Sequence, residues 1–114
     1  AMADRDEEEV YQFIKSLDES YDLYRDATAA IHRWAIEDSG VPPIDIPFHP
    51  GAIRYMQEKG LWSEKMQTWN DNRLARLEAL KQAWDSLLNE EPDLEGDALA
   101  ERWEARRQEV IGAL

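Results

Sequence analysis

The chain has 114 residues, of which 25 are acidic and 13 basic, giving a net charge of −12 with 43% hydrophobic and 33% charged residues. This is too apolar for a disordered acidic tail and too polar for a membrane protein. The negative charge argues against nucleic acid or anionic lipid as a partner, and the lack of cysteine excludes disulfides, thiolate metal sites and a cysteine nucleophile.

No run of about 18 apolar residues is present to span a membrane. The start, Ala1-Met2-Ala3-Asp4, leads into an acidic cluster with no apolar signal-peptide region. The first helix is expected over about residues 5–25, with a break near Ser20. Asp4 or Asp6 is its N-cap, and Glu7, Glu8 and Glu9 face the positive end of its dipole. Val10, Phe13, Ile14, Leu17, Tyr21 and Tyr24 recur at spacings of three and four, which makes one apolar stripe.

A shorter helix is expected from about Thr28 to Asp38, capped by Asp26, burying Ala27, Ala30, Ile31, Trp34 and Ala35, and closed by Gly40. Residues 41–50 hold four prolines, which forbid a helix and interrupt any sheet ladder. They predict an extended strap anchored by Ile44, Ile46 and Phe48 at period two.

A third helix starts at Pro50, a favoured first-turn position, and ends at Lys59 before Gly60. Ser63 caps a long fourth helix to about Asn89. Its stripe is Met66, Trp69, Arg73 or Leu74, Leu77, Leu80 or Lys81, Trp84, and Leu87 or Leu88, and Glu90-Glu91-Pro92 stops it. A last helix, capped by Asp93 or Asp97, carries Leu99, Trp103, Val110, Ile111 and Leu114 and folds back as a hairpin. The fold class is therefore all-α: four to five helices, a strap over residues 41–50 and a C-terminal helical hairpin. Residues 1–62 and 63–114 form its two parts.

Candidate chemistry is sparse. His32 reads as a solvated surface residue, and His49, just before Pro50-Gly51, reads as a cap for amide groups or a support for the strap. The two histidines lie on different elements, without thiolates or metalloprotease spacing, so no zinc site is expected. The carboxylates gather at a helix start and in a turn, and the cluster from Glu90 to Asp97 lacks calcium-loop spacing. Five tryptophans at helical spacing read as core or interface. No catalytic residue, cofactor or metal is expected. The apolar surface on offer instead predicts a homodimer, with Trp69, Leu77 and Trp84 as the candidate self-association face.

The most specific stretch is Ile46-Pro47-Phe48-His49-Pro50-Gly51-Ala52-Ile53-Arg54-Tyr55, running on to Gly60-Leu61-Trp62. It resembles the closing signature of TAXI-family solute receptors of TRAP transporters: a proline-apolar-His-Pro-Gly-Ala stretch, then a short helix with an Arg-Tyr pair and a glycine stop. Glu9-Val10-Tyr11 and Tyr21-Asp22-Leu23-Tyr24 follow the order of that family's C-terminal end, and the resemblance covers roughly residues 8–88. It implies a periplasmic receptor, about three times longer, whose two lobes close on a small organic acid and deliver it to TRAP membrane subunits. In that scheme Phe48, His49, Pro50, Gly51 and Tyr55 are structural anchors, and this chain holds scaffold rather than the solute pocket.

Overall fold

A computed structural model describes residues 2–39 and 45–114. All regular structure in those residues is helical, as the all-α expectation requires. The chain forms two compact units, Ala1–Asn70 and Asp71–Leu114. Among the described residues no helix is long and apolar enough to cross a membrane.

In the first unit, α1 (Glu7–Glu19) begins where Asp6 Oδ1 accepts the Glu9 amide at 3.1 Å. It stops at Ser20, and α2 (Tyr21–Tyr24) follows at once. The Tyr24 hydroxyl donates to the Leu17 carbonyl at 2.8 Å and so serves an end group that the broken helix leaves open.

The expected helix over 28–38 is instead two short 3₁₀ turns, Ala29–Trp34 and Ile36–Asp38, and Asp26 does not cap it. The Tyr21 hydroxyl lies 3.3 and 3.2 Å from the carbonyls of Ile31 and His32, which an α-helix would use internally. The tighter winding also moves Trp34 off the predicted buried face: it is 63% exposed.

Of the predicted strap, Val41–Ile44 lie outside the described residues, the anchor Ile44 among them. Ile46, predicted as an anchor, is instead 75% exposed, whereas Phe48 is half-buried. Its ring meets Trp62 edge-on at 5.3 Å. The backbone stays extended through His49, as the pre-proline position demands.

Helix α3 (Pro50–Glu58) ends in a Schellman arrangement. The Leu61 amide reaches the Met56 carbonyl at 2.8 Å and the Gly60 amide reaches Gln57 at 3.0 Å, with Gly60 at φ 72°. Helix α4 (Glu64–Glu90) opens on Ser63, whose hydroxyl accepts the Met66 amide at 3.2 Å. Helix α5 (Gly96–Gly112) is capped by neither Asp93 nor Asp97. Glu95 precedes it without a side-chain cap, Gly96 turns the chain at φ 58°, and Asp97 adds first-turn negative charge.

The second unit resolves the alternatives left along α4. Leu87 is fully buried, whereas Leu88 is exposed; Arg73 and Leu80 are half-buried, whereas Leu74 and Lys81 face solvent. The hairpin closes with Trp84 against Trp103, ring centroids 5.1 Å apart. Arg106 Nη2 pairs with Glu90 at 2.7 Å and Arg102 Nε with Glu91 at 3.0 Å.

Candidate functional site

The site is built on the crossing of α1 and α3. Val10, Tyr11, Tyr55 and Met56 are its buried apolar residues, and Gly51 lies in the contact. A Cβ on Gly51 would sit 2.4 Å from the Glu7 carbonyl oxygen and 2.7 Å from the Tyr11 nitrogen. Only a residue without a side chain lets the two backbones come this close.

His49 sets the angle of approach. Its Nδ1 accepts the Gly51 amide at 3.1 Å as the N-cap of α3, and its Nε2 lies 3.0 Å from the Arg5 carbonyl ahead of α1. Nδ1 must be unprotonated to accept, so Nε2 carries the hydrogen that Arg5 receives. The predicted capping role is thus present, and one ring joins the starts of both helices. Pro50 supplies the fixed first-turn φ.

Each helix also lends a tyrosine to a carboxylate of the other. The Tyr55 hydroxyl donates to Asp18 at 2.6 Å, and the Tyr11 hydroxyl donates to Glu58. The two rings pack edge to face with centroids 5.8 Å apart. Arg54 lies 3.9 Å over the Tyr11 ring and pairs with Glu8 at 2.6 Å. Tyr11 falls outside the predicted stripe and yet is buried, since its side of α1 is the one α3 covers.

Asn70 is the other residue that the sequence did not single out. It is 1% exposed, and its Oδ1 accepts the Phe48 amide at 2.7 Å, tying the strap to the start of α4. A polar residue beside Trp69 on an apolar stripe is the only signal the sequence offered.

These bonds have a pH signature. Burial, and then the hydrogen bond to Asp18, push the Tyr55 hydroxyl well above its ordinary value of 10. The bond to Glu58, and then burial, raise Tyr11 as well. Both groups are protonated in the fold and ionise more readily when unfolded, so their stabilisation is complete below about pH 10 and is lost as pH rises further. Denaturation of the chain should therefore become easier above about pH 10, and Tyr55→Phe should flatten that slope. An unchanged alkaline slope in the variant would contradict the assignment.

Beside the crossing lies an open cleft of about 640 Å³, entirely within the first unit. Phe13, Ile14 and Leu17 of α1 form one wall, Trp34 and Ile36 another, and Ile46, Pro47 and Phe48 the third, over a floor that includes Met56. Phe13 is 62% exposed, and Leu17, Trp34 and Ile46 are open too. Polar groups at the cleft are few: Asp18 is taken by Tyr55 and Lys59, His49 by its two backbone bonds, and Arg33 and Ser39 lie along the lining. The cleft can take an apolar body by shape. Among the described residues no three metal-ligating groups converge.

Thus Phe48, His49, Pro50, Gly51 and Tyr55 meet at the crossing and its cleft. The three residues of the candidate self-association face are placed differently. Trp69 is half-buried in the first unit, Trp84 packs on Trp103, and Leu77 stands open to solvent.

Compared with known proteins, residues 1–60 match the model of the NMT1-like family, which is of the periplasmic solute-binding-protein type. The matched span holds every residue lining the cleft, and it ends just after α3. No curated protein and no solved structure matches the chain.

Proposed function

Because the chain belongs to the NMT1-like family, we propose that it is the helical C-terminal part of a TRAP transporter solute receptor of the TAXI kind. It works in the periplasm as scaffold and contact surface, without catalysing a reaction. The observation that carries this reading is the cleft. It is made only of family-matched residues and leaves Phe13, Leu17, Trp34 and Ile46 uncovered around a concave apolar surface. Four large side chains left open in one place mark a surface that another body covers, and in a receptor that body is one of the closing lobes.

On this reading the α1–α3 crossing is a rigid back-plate. Gly51, His49 and the two tyrosine–carboxylate bonds fix the cleft walls, so the lobe meets a preformed surface and little ordering entropy is lost on packing. The solute, a small organic acid, is held by the lobes of the full receptor, which then meets the membrane subunits.

Calorimetric titration of the chain with small dicarboxylates and amino acids should give no binding heat. Micromolar binding by the chain itself would overturn the scaffold reading, because the solute pocket would then lie here.

A further inference from the structure

The cleft of the first unit has apolar walls, and its polar groups are not equivalent. Five residues supply them: Asp18, Tyr24, Arg33, Ser39 and His49. Four are committed inside the fold. Asp18 accepts from Tyr55 at 2.6 Å and pairs with Lys59 at 3.4 Å, and both ring nitrogens of His49 hold backbone groups. The Tyr24 hydroxyl donates to the Leu17 carbonyl, and the Ser39 hydroxyl donates to the Ala35 carbonyl at 3.1 Å.

Arg33 differs. Among the described residues its guanidinium has no hydrogen bond, ion pair or ring contact. Arg5, Lys15, Arg25, Arg54 and Lys59 of the same unit each have a carboxylate partner. The chain holds 25 acidic residues against 13 basic ones, yet none of them reaches this arginine. A free guanidinium on the lining of an uncovered apolar cleft is set to receive an anion from outside.

We propose that the cleft binds a small amphiphile carrying a single carboxylate, its head on Arg33 and its apolar body along Phe13, Leu17, Trp34 and Ile46. The volume of about 640 Å³ falls within the range of roughly 300–1,000 Å³ for small-ligand sites. The guanidinium is a planar fork that a carboxylate matches with two hydrogen bonds. A second polar end on the ligand has no free counterpart. The ammonium of an amino acid would need Asp18, which Tyr55 and Lys59 occupy, and the far carboxylate of a dicarboxylate would lie against apolar walls.

The two ends of the ligand contribute unequally. An exposed ion pair adds little affinity, and the net charge of −12 repels anions at long range. The carboxylate therefore sets the orientation, while the apolar body supplies most of the binding. Each methylene buried along the walls should tighten it about fourfold. This inference goes beyond the receptor reading and does not depend on it. The ligand covers the four side chains that a closing lobe would cover, so in a receptor the two exclude each other.

Calorimetric titration of the full chain with octanoate, decanoate and dodecanoate, each below its micelle concentration, should show one saturable site whose affinity rises along the series. Tryptophan fluorescence should shift to the blue as Trp34, 63% exposed, is covered, and Trp34→Phe should remove most of that shift. Decanol should bind about fivefold more weakly than decanoate, and decyltrimethylammonium should show no saturable binding. Arg33→Gln removes no internal contact and should erase the preference for the acid over the alcohol. Phe13→Glu should abolish binding, whereas Leu77→Glu, in the second unit, should leave it unchanged.

Absence of saturable dodecanoate binding would overturn the proposal, as would many molecules bound per chain. So would equal affinity for decanol and decanoate, or an Arg33→Gln chain that keeps the preference. Equal losses in Phe13→Glu and Leu77→Glu would place the site outside the cleft and refute it too. Silence toward dodecanoate would leave the receptor reading standing, since that reading is tested with dicarboxylates and amino acids.

Discussion

Gly51→Ala should destabilise the first unit by about 3 kcal/mol, the upper range for overpacking in a closed contact. The added methyl group meets the Glu7 carbonyl oxygen at 2.4 Å and the Tyr11 nitrogen at 2.7 Å. Both are backbone atoms within a helix, and neither can turn aside as a flexible side chain would. Relief requires α1 and α3 to separate, which loosens the packing of Val10, Tyr11, Tyr55 and Met56 together. Gly112→Ala is the internal control: nothing lies within 4 Å of the new Cβ, and alanine favours a helix. It should be neutral or stabilising by up to about 1 kcal/mol. Urea denaturation followed by circular dichroism compares the two. Equal midpoints for Gly51→Ala and the parent chain would refute the close-contact account.

Leu87→Ala should cost about 2–5 kcal/mol, the range for a fully buried leucine. The second unit, Asp71–Leu114, is close to the smallest size that holds a core without staples. The substitution should therefore melt the hairpin rather than merely soften it. The exciton signal expected from the edge-on Trp84–Trp103 pair in circular dichroism should disappear, and helicity should fall. Leu88→Ala, next along the chain but exposed, should cost less than about 1 kcal/mol and keep the tryptophan signal. Indistinguishable results at the two positions would mean that α5 does not cover the Leu87 side of α4.

These two sites show what could be read in advance. That Gly51 follows His49-Pro50 was visible, and so was a capping role for His49, since a ring nitrogen ahead of a first-turn proline is well placed to accept a helix amide. Which backbone Gly51 must clear was not visible, because its neighbour in space lies some 40 residues earlier in the chain. Leu87 and Leu88 are equivalent by periodicity. The choice between them depends on where α5 lies across α4, and no local pattern carries that angle. Asn70 was missed for a related reason: its partner, the Phe48 amide, belongs to a strap that offers no ladder of its own. Trp34 was misplaced because the Tyr21 hydroxyl draws the Ile31 and His32 carbonyls out of the helical pattern.

By itself the sequence determined the helical class, the break near Ser20, the cap at Ser63 and the stop at Gly60, and it narrowed the first cap to Asp4 or Asp6 and the role of His49 to a cap or a support for the strap. Each of these is settled by dihedral limits or by a hydrogen bond spanning a few residues. Only the tertiary structure decided that Tyr11 and Tyr55 exchange carboxylates across the crossing, that the cleft stays open beside it, and that Leu74, Leu77 and Leu88 are left uncovered. Those outcomes depend on which helix face meets which. That is fixed by burial summed over residues far apart in the chain, a sum that helical spacing alone does not contain.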